Sequence, residues 1–228
     1  MLEVRIAICL ITLIVASIMD LKKREISDKV WIISSSFSLI LFILEFKNID
    51  IIAYIISLTI TSSISYSIYK FGLFGGADAK ALIVISSLLP YYDTGIHNIS
   101  ALTVLTNSVI LTVGNIIYNV IKNSIDIIKG RNIFQGFNEP LSRKIFAFML
   151  GNRVYKVNGF AFLMEEKNGK ERRFRFHAHA YDEFANANDV WVTYAIPFIV
   201  YITIGFVIMI LYGDIIWKII EFVIYKGL

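Results

Sequence analysis

The 228 residues are 57% hydrophobic and 18% charged, with a mean hydropathy of +0.67 and a formal net charge of +4. Soluble domains run nearer to ~45–50% apolar and ~25% charged, so an ordinary soluble globule is excluded, and long Ile-rich runs with only three prolines exclude a disordered linker. The lone cysteine, Cys9, excludes an intramolecular disulfide and a cysteine-based zinc site.

In chain order, six apolar segments approach the about 20 residues that a helix needs to cross a bilayer core. They cover 4–19, 30–46, 51–69, 79–89 with an extension to about 95, 99–121 and 190–212. The first ends Ala16-Ser17-Ile18-Met19-Asp20, without a small-x-small cleavage site, so a retained span is expected instead of a signal peptide. Spans two and three contain Ser34-Ser35-Ser36 and Thr61-Ser62-Ser63. Such small polar residues let helices approach closely and hydrogen-bond in lipid.

Basic residues predict the orientation. The first loop holds Lys22, Lys23, Arg24 and Lys29, the third is flanked by Lys70 and Lys80, and the fifth carries a dozen. The second has only Lys47 against Glu45 and Asp50, and the fourth has neither Lys nor Arg. Odd loops are therefore expected in the cytoplasm and the N-terminus outside.

Residues 122–189 form the one soluble-looking stretch. Leu141, Ile145, Phe148 and Met149 repeat at helical spacing, and 154–165 with 171–176 read as hairpin arms around Asn168-Gly169. Near the C-terminus, Trp217, Ile220 and Val223 recur as in an interfacial helix over 214–225. The expected fold is an all-α polytopic membrane protein of about six transmembrane helices, with a small cytoplasmic α+β insertion containing a β-hairpin. Its parts would be 1–121, 122–189 and 190–228.

Ionisable groups at membrane depth are functional-site hypotheses by default, and two stand out. Asp20 follows directly on the first apolar run, and Asp78 sits in Phe74-Gly75-Gly76-Ala77-Asp78-Ala79-Lys80 before the fourth. The inferred topology puts both at the cytoplasmic ends of their spans. Two carboxylates held close in a low-dielectric site do not both ionise easily, which supplies an acid and a base at one pH. The ionised one activates water, and the protonated one donates to the reacting carbonyl. Gly75 and Gly76 would permit unusual backbone angles and close approach of an extended peptide.

Plainer readings exist for each residue. Asp20 reads equally as a solvated helix-end acid, and Asp78 as a helix N-cap. Asp28 and Asp189 read as caps or interface residues, or as a third carboxylate near the site. His177 and His179 alternate on the proposed hairpin, but no third ligand accompanies them and His97 falls across the membrane, so no metal is expected. Eight acids dilute the basic fifth loop, which favours lipid or protein contact over nucleic acid.

On Asp20-Leu21-Lys22-Lys23-Arg24 and Gly75-Gly76-Ala77-Asp78-Ala79-Lys80, the sequence resembles the GxGD intramembrane aspartyl proteases. Within these it is most similar to the archaeal preflagellin peptidase branch of the type IV prepilin peptidases. The resemblance implies that Asp20 and Asp78 are catalytic and that Gly75, Gly76, Ala77 and Lys80 belong to the motif along the substrate track. It also implies a preflagellin or type IV pilin-like precursor as substrate, cut after its basic leader, and no cofactor. Ala77 replaces the motif's second Gly and marks the branch. A single Cys rules out the zinc-binding loop of bacterial relatives, and no S-adenosylmethionine motif is visible, so proteolysis without methylation is expected. Ile196-Pro197-Phe198 is a loose analogue of the Pro-Ala-Leu element of presenilin-like members. The competing reading is a small transporter or channel subunit whose acids relay protons or bind a cation; a membrane assembly factor is the third.

Overall fold

The computed structural model describes all residues except 73, 95–97, 169–170, 177–183 and 227–228. It divides into two compact units, 1–111 with 197–228, and 112–196.

The first unit is helical. Helix α1 (Leu2–Lys23), α2 (Asp28–Glu45), α3 (Ile51–Lys70), α4 (Gly76–Leu88), the first half of α5 (Ser100–Ile128), α7 (Phe198–Tyr212) and α8 (Ile215–Lys226) make it up. Three of these, α1, α3 and α5, are long and apolar enough to cross a membrane, and a fourth span results if α7 and α8, bent by 46°, count as one. The coarse expectation of a mostly helical membrane protein therefore holds, while length and composition support three to four spans instead of six. Helix α4 has only 13 residues. Its outward extension is not helical, because the helix ends before Leu89-Pro90, where the residue before a proline is driven out of the α region.

The unit is inverted relative to a soluble bundle. Ile11, Ile32, Ile43 and Ile52 are all more than 60% exposed on helix outer faces, whereas Ser34, Ser38, Ser57, Thr61 and Ser65 are buried. Lipid offers no hydrophobic gain for joining helices, so hydroxyl contacts and close backbone approach take over. Thr12 donates to Ser34 Oγ at 3.1 Å, Ser38 to the Ser87 carbonyl at 2.7 Å and Ser57 to the Pro90 carbonyl at 2.5 Å. Ser17 and Thr203 bond at 2.7 Å, joining α1 to α7. A Cβ on Gly205 would lie 2.5 Å from Ser108 Oγ and 2.9 Å from the Val104 carbonyl oxygen. Only glycine allows α7 to lie this close to α5.

These contacts order the helices end to end. At one end Arg5 grips Glu45 Oε2 through Nε and Nη2, at 2.8 and 2.6 Å, and donates its Nη1 to the Leu88 carbonyl at 2.8 Å. At the other end lie the C-terminus of α1, the N-termini of α2, α4 and α7, and the C-terminus of α3. Helix α7 stops at Gly213, whose φ is 81°. Asn107 donates to the Gly213 carbonyl at 3.0 Å and accepts from the Ile215 amide, while Asp214 accepts from Thr106 Oγ1 and from the Trp217 amide. Side chains thus replace the helical bonds lost at the bend. The periodicity over 214–225 is borne out as a helix.

The second unit contains the far half of α5, α6 (Leu141–Leu150) and five strands: β1 (Asn152–Lys156), β2 (Ala161–Leu163), β3 (Glu165–Asn168), β4 (Glu171–Phe174) and β5 (Asn188–Tyr194). Strands β1, β5 and β2 form an antiparallel sheet in that order. Strands β3 and β4 form the expected hairpin, with Glu165 opposite Phe174 and Asn168 opposite Glu171. Its first arm is 165–168 and not the 154–165 read from the sequence, with only Glu165 in common, because 152–156 and 161–163 pair with β5 instead. The sixth apolar run is also corrected. Its opening Val190-Trp191-Val192-Thr193-Tyr194 is a strand, rich in β-branched and aromatic residues, and the helix starts only after Pro197. Residues His177, His179 and His97 lie outside the described residues.

Trp191 is fully buried and donates its indole N–H to the Ile133 carbonyl at 2.9 Å. Around it, Phe134 stacks at 5.4 Å and Phe174 packs edge-on at 5.3 Å. Asp189, with φ 52°, anchors arginines: Arg153 reaches it at 2.6 Å, Arg131 at 3.5 Å and Arg172 at 3.9 Å.

Candidate active site

Asp78 is in the first turn of α4, 9% exposed. It is not the N-cap: Gly75 holds that position, and Asp78 reaches back so that Oδ2 accepts the Gly75 amide at 2.9 Å. An acid there also meets the positive end of the helix. The plain capping reading thus accounts for one carboxylate oxygen.

Asp20 is in the last turn of α1, with a side chain 15% exposed, and Arg24 Nη1 stands 3.7 Å from it. Arg24 ends the helix in the left-handed region, φ 55°, its amide donating to the Asp20 carbonyl at 2.9 Å. Both acids occupy the same end of the helical unit, and the charge of Asp20 acts on Asp78. Among the described residues Asp78 has no cationic partner, so a buried carboxylate shares this end of the unit with a second carboxylate and with no cation of its own. That arrangement is costly, and it fits general acid–base chemistry better than structural support.

The glycines do their work by space, not by unusual angles. Gly75 has φ −72° and ψ 159°, open to any residue, but a Cβ there would stand 3.3 Å from Asp78 Oδ2. A Cβ on Gly76 would meet Tyr69 of α3 at 3.4 Å. Ala77 packs against the core that includes Leu13, Leu82 and Phe198. Lys80 faces outward and pairs with Asp28 at 2.5 Å, both largely exposed. Asp28 is therefore engaged with Lys80, and Asp189 belongs to the arginine cluster of the other unit.

One contact escaped sequence reasoning. Phe74, one residue before the glycine pair, stacks on Phe198 at 4.1 Å and 20°, which sets the start of α7 against the loop that leads to Asp78. The Ile196-Pro197-Phe198 element was its only trace in the sequence. No group of three or more His, Cys, Asp or Glu suited to a metal occurs among the described residues.

Known proteins resemble this chain over most of its length. A model described as the type IV leader peptidase family matches 7–117, spanning both acids, and one described as the archaeal peptidase A24 C-terminus type II matches 141–215. The chain is 28% identical over 230 residues to the preflagellin peptidase of Methanococcus maripaludis, covering 93% of this chain and 95% of that one. It is 28% identical over 217 residues to that of Methanocaldococcus jannaschii, covering 90% and 92%, and 26% identical over 236 residues to that of Methanococcus voltae, covering 91% and 94%. The chain is thus similar to the type IV leader peptidase family in its helical part and to the archaeal peptidase A24 C-terminus in the rest.

Proposed function

We propose that this chain is a membrane aspartic endopeptidase of the GxGD type that removes the short basic leader from preflagellins or archaeal prepilins, with Asp20 and Asp78 as its catalytic pair. The observation that carries the reading is Asp78: buried, without a cation among the described residues, and within reach of Asp20's charge. In the reaction, the ionised carboxylate takes a proton from water as the water oxygen bonds to the scissile carbonyl carbon. The protonated carboxylate donates to the carbonyl oxygen, and the leaving nitrogen receives a proton as the C–N bond breaks. No methyl transfer accompanies the cut. The dyad end faces the cytoplasm, as Lys22, Lys23, Arg24 and Lys80 favour, so a basic leader stays in water or at anionic lipid headgroups while the bond just before the hydrophobic stretch enters the site. In this reading the N-terminus is outside, α2 and α4 complete a six-span layout in the cell membrane, and 122–189 is the cytoplasmic insertion.

The transporter reading needs a polar path through the bundle. Both acids of the pair sit at one end, and the buried Asp214 is closed off by Thr106 and the start of α8.

The test uses purified full-length protein in detergent with a preflagellin carrying its leader. Wild type is expected to cleave, and Asp20→Asn and Asp78→Asn to lose cleavage by about three orders of magnitude or more. EDTA should leave the wild-type rate unchanged. Processing that survives both substitutions rejects the dyad.

A further inference from the structure

The polar stripes that flank α4 are satisfied at one end and empty at the other. On α3 the buried positions are Ser57, Thr61 and Ser65, one per turn along a single face. Ser57 bonds to Ser86 and to the Pro90 carbonyl, which proves that the stripe faces α4. Thr61 Oγ1 and Ser65 Oγ, each in a residue 1% exposed, have no hydrogen-bond partner among the described residues. The same pattern recurs on α2, whose buried face is Trp31, Ser34, Ser38 and Leu41. Ser34 accepts from Thr12 and Ser38 donates to the Ser87 carbonyl, yet the indole N–H of Trp31, 5% exposed, has no partner among the described residues.

Register places these idle donors beside the acids. Helices α3 and α4 are antiparallel, Ser57 meets Ser86, and Tyr69 lies against Gly76. Ser65 is eight residues beyond Ser57 and Asp78 eight residues before Ser86, so the two are level, with Thr61 one turn deeper. Helices α2 and α4 run parallel, tied by Asp28 with Lys80 and by Ser38 with Ser87. Trp31, between those ties, falls within about one turn of Asp78.

A buried hydroxyl on a helix can bond to the carbonyl four residues back, as Ser108 does to Val104. Ser65 and Thr61 do neither this nor bridge to α4. Unsatisfied buried donors are costly and rare, and those that persist need a reason. A peptide about to be cut supplies one, because an extended main chain in a water-poor site carries carbonyls that must find donors.

We infer that Ser65, Thr61 and Trp31 form a donor track that receives the carbonyls of an extended substrate backbone on both sides of Asp78. This rests on the peptidase reading above. The hydroxyls and indole bind the chain without taking part in proton transfer, so their contribution is equal before and during bond cleavage.

The test measures leader cleavage by the full-length protein for Ser65→Ala, Ser65→Thr and Trp31→Phe, alongside thermal unfolding of each. Ser65→Ala and Trp31→Phe should each raise KM about tenfold with kcat within about twofold of wild type. Ser65→Thr, which keeps the hydroxyl, should restore KM. Thermal midpoints should stay level or rise, since each truncation removes an idle buried group. Wild-type KM in both truncations, or a loss of stability in either, overturns the track. A wild type that fails to cleave preflagellin rejects the peptidase reading itself, and a kcat loss confined to Asp20→Asn and Asp78→Asn upholds that reading alone.

Discussion

The two units handle buried acid in opposite ways. Among the described residues of the sheet unit, the carboxylates near the core are paired with cations. Asp189 collects Arg153, Arg131 and Arg172, Glu165 takes the Trp191 amide with Arg172 nearby, and Glu139 pairs with Arg143 at 2.6 Å and accepts the Phe174 amide. Even in the helical unit Glu45 is gripped by Arg5. Asp78 has instead one backbone amide and the charge of Asp20. The buried Asp214, also without a cation among the described residues, is held on both oxygens by Thr106 and the Trp217 amide, whereas an acid left near another acid fits the proton exchange proposed above. Conserving stability would have placed an arginine beside Asp78.

That contrast can be broken by removing one charge from each side. Asp78→Asn should abolish cleavage yet leave the thermal midpoint unchanged or slightly higher, because Asn still accepts the Gly75 amide and ends the repulsion with Asp20. A variant that unfolds would make Asp78 a structural acid after all. Arg153→Ala should do the reverse. It strips Asp189 of its nearest partner and frees the carbonyls of Asn132, Ile133 and Gln135, a loss of about 3 kcal/mol in denaturant unfolding of the sheet unit. A cost below about 1 kcal/mol would show that the cluster is ornamental.

Smaller perturbations sharpen the comparison. Gly75→Ala puts a Cβ 3.3 Å from Asp78 Oδ2 and should slow cleavage about tenfold by displacing the carboxylate a few tenths of an ångström, read as kcat on the same preflagellin. An unchanged kcat would mean that the dyad tolerates misplacement. The smallest effect concerns acid. The hydrogen bond from Arg153, and then the charges of Arg153, Arg172 and Arg131, hold the Asp189 carboxyl below its ordinary range against the opposing effect of burial. A depressed native value means that the stabilisation is complete above the unfolded carboxylate range, near pH ~4. It is lost as pH falls through the lower native value. Melting the sheet unit between pH 6 and pH 3 should show this loss, and Asp189→Asn should flatten part of the curve. Identical acid profiles would remove Asp189 from the account.

Much of this was legible because single-residue chemistry repeats along the chain. Apolar runs marked six of the helices, Leu141, Ile145 and Phe148 marked α6, and the basic residues around Asp20 and Lys80 placed two distant acids at one height. What could not be read is non-local. Val190–Tyr194 runs into the apolar stretch of α7, and a short apolar run does not distinguish strand from helix. Only its pairing with Asn152–Lys156 and Ala161–Leu163 makes it β5. The partner of Arg5 lies 40 residues away. The serines of spans two and three announced close packing, but not which of them would find a partner.

The glycine at 205 has a mechanical consequence. With Ser108 and Val104 pressed against its missing side chain, α7 cannot slide along α5, since any neighbour brought to that spot would carry a Cβ into the gap. Tilting is the freedom that remains. Gly205 is then a fulcrum about 10 Å from Phe198 along the helix axis, and a tilt of roughly 10° would lift Phe198 off Phe74 by about 2 Å. Such a tilt, pivoting midway along α7, would part the two rings that stand one residue before the glycine pair leading to Asp78.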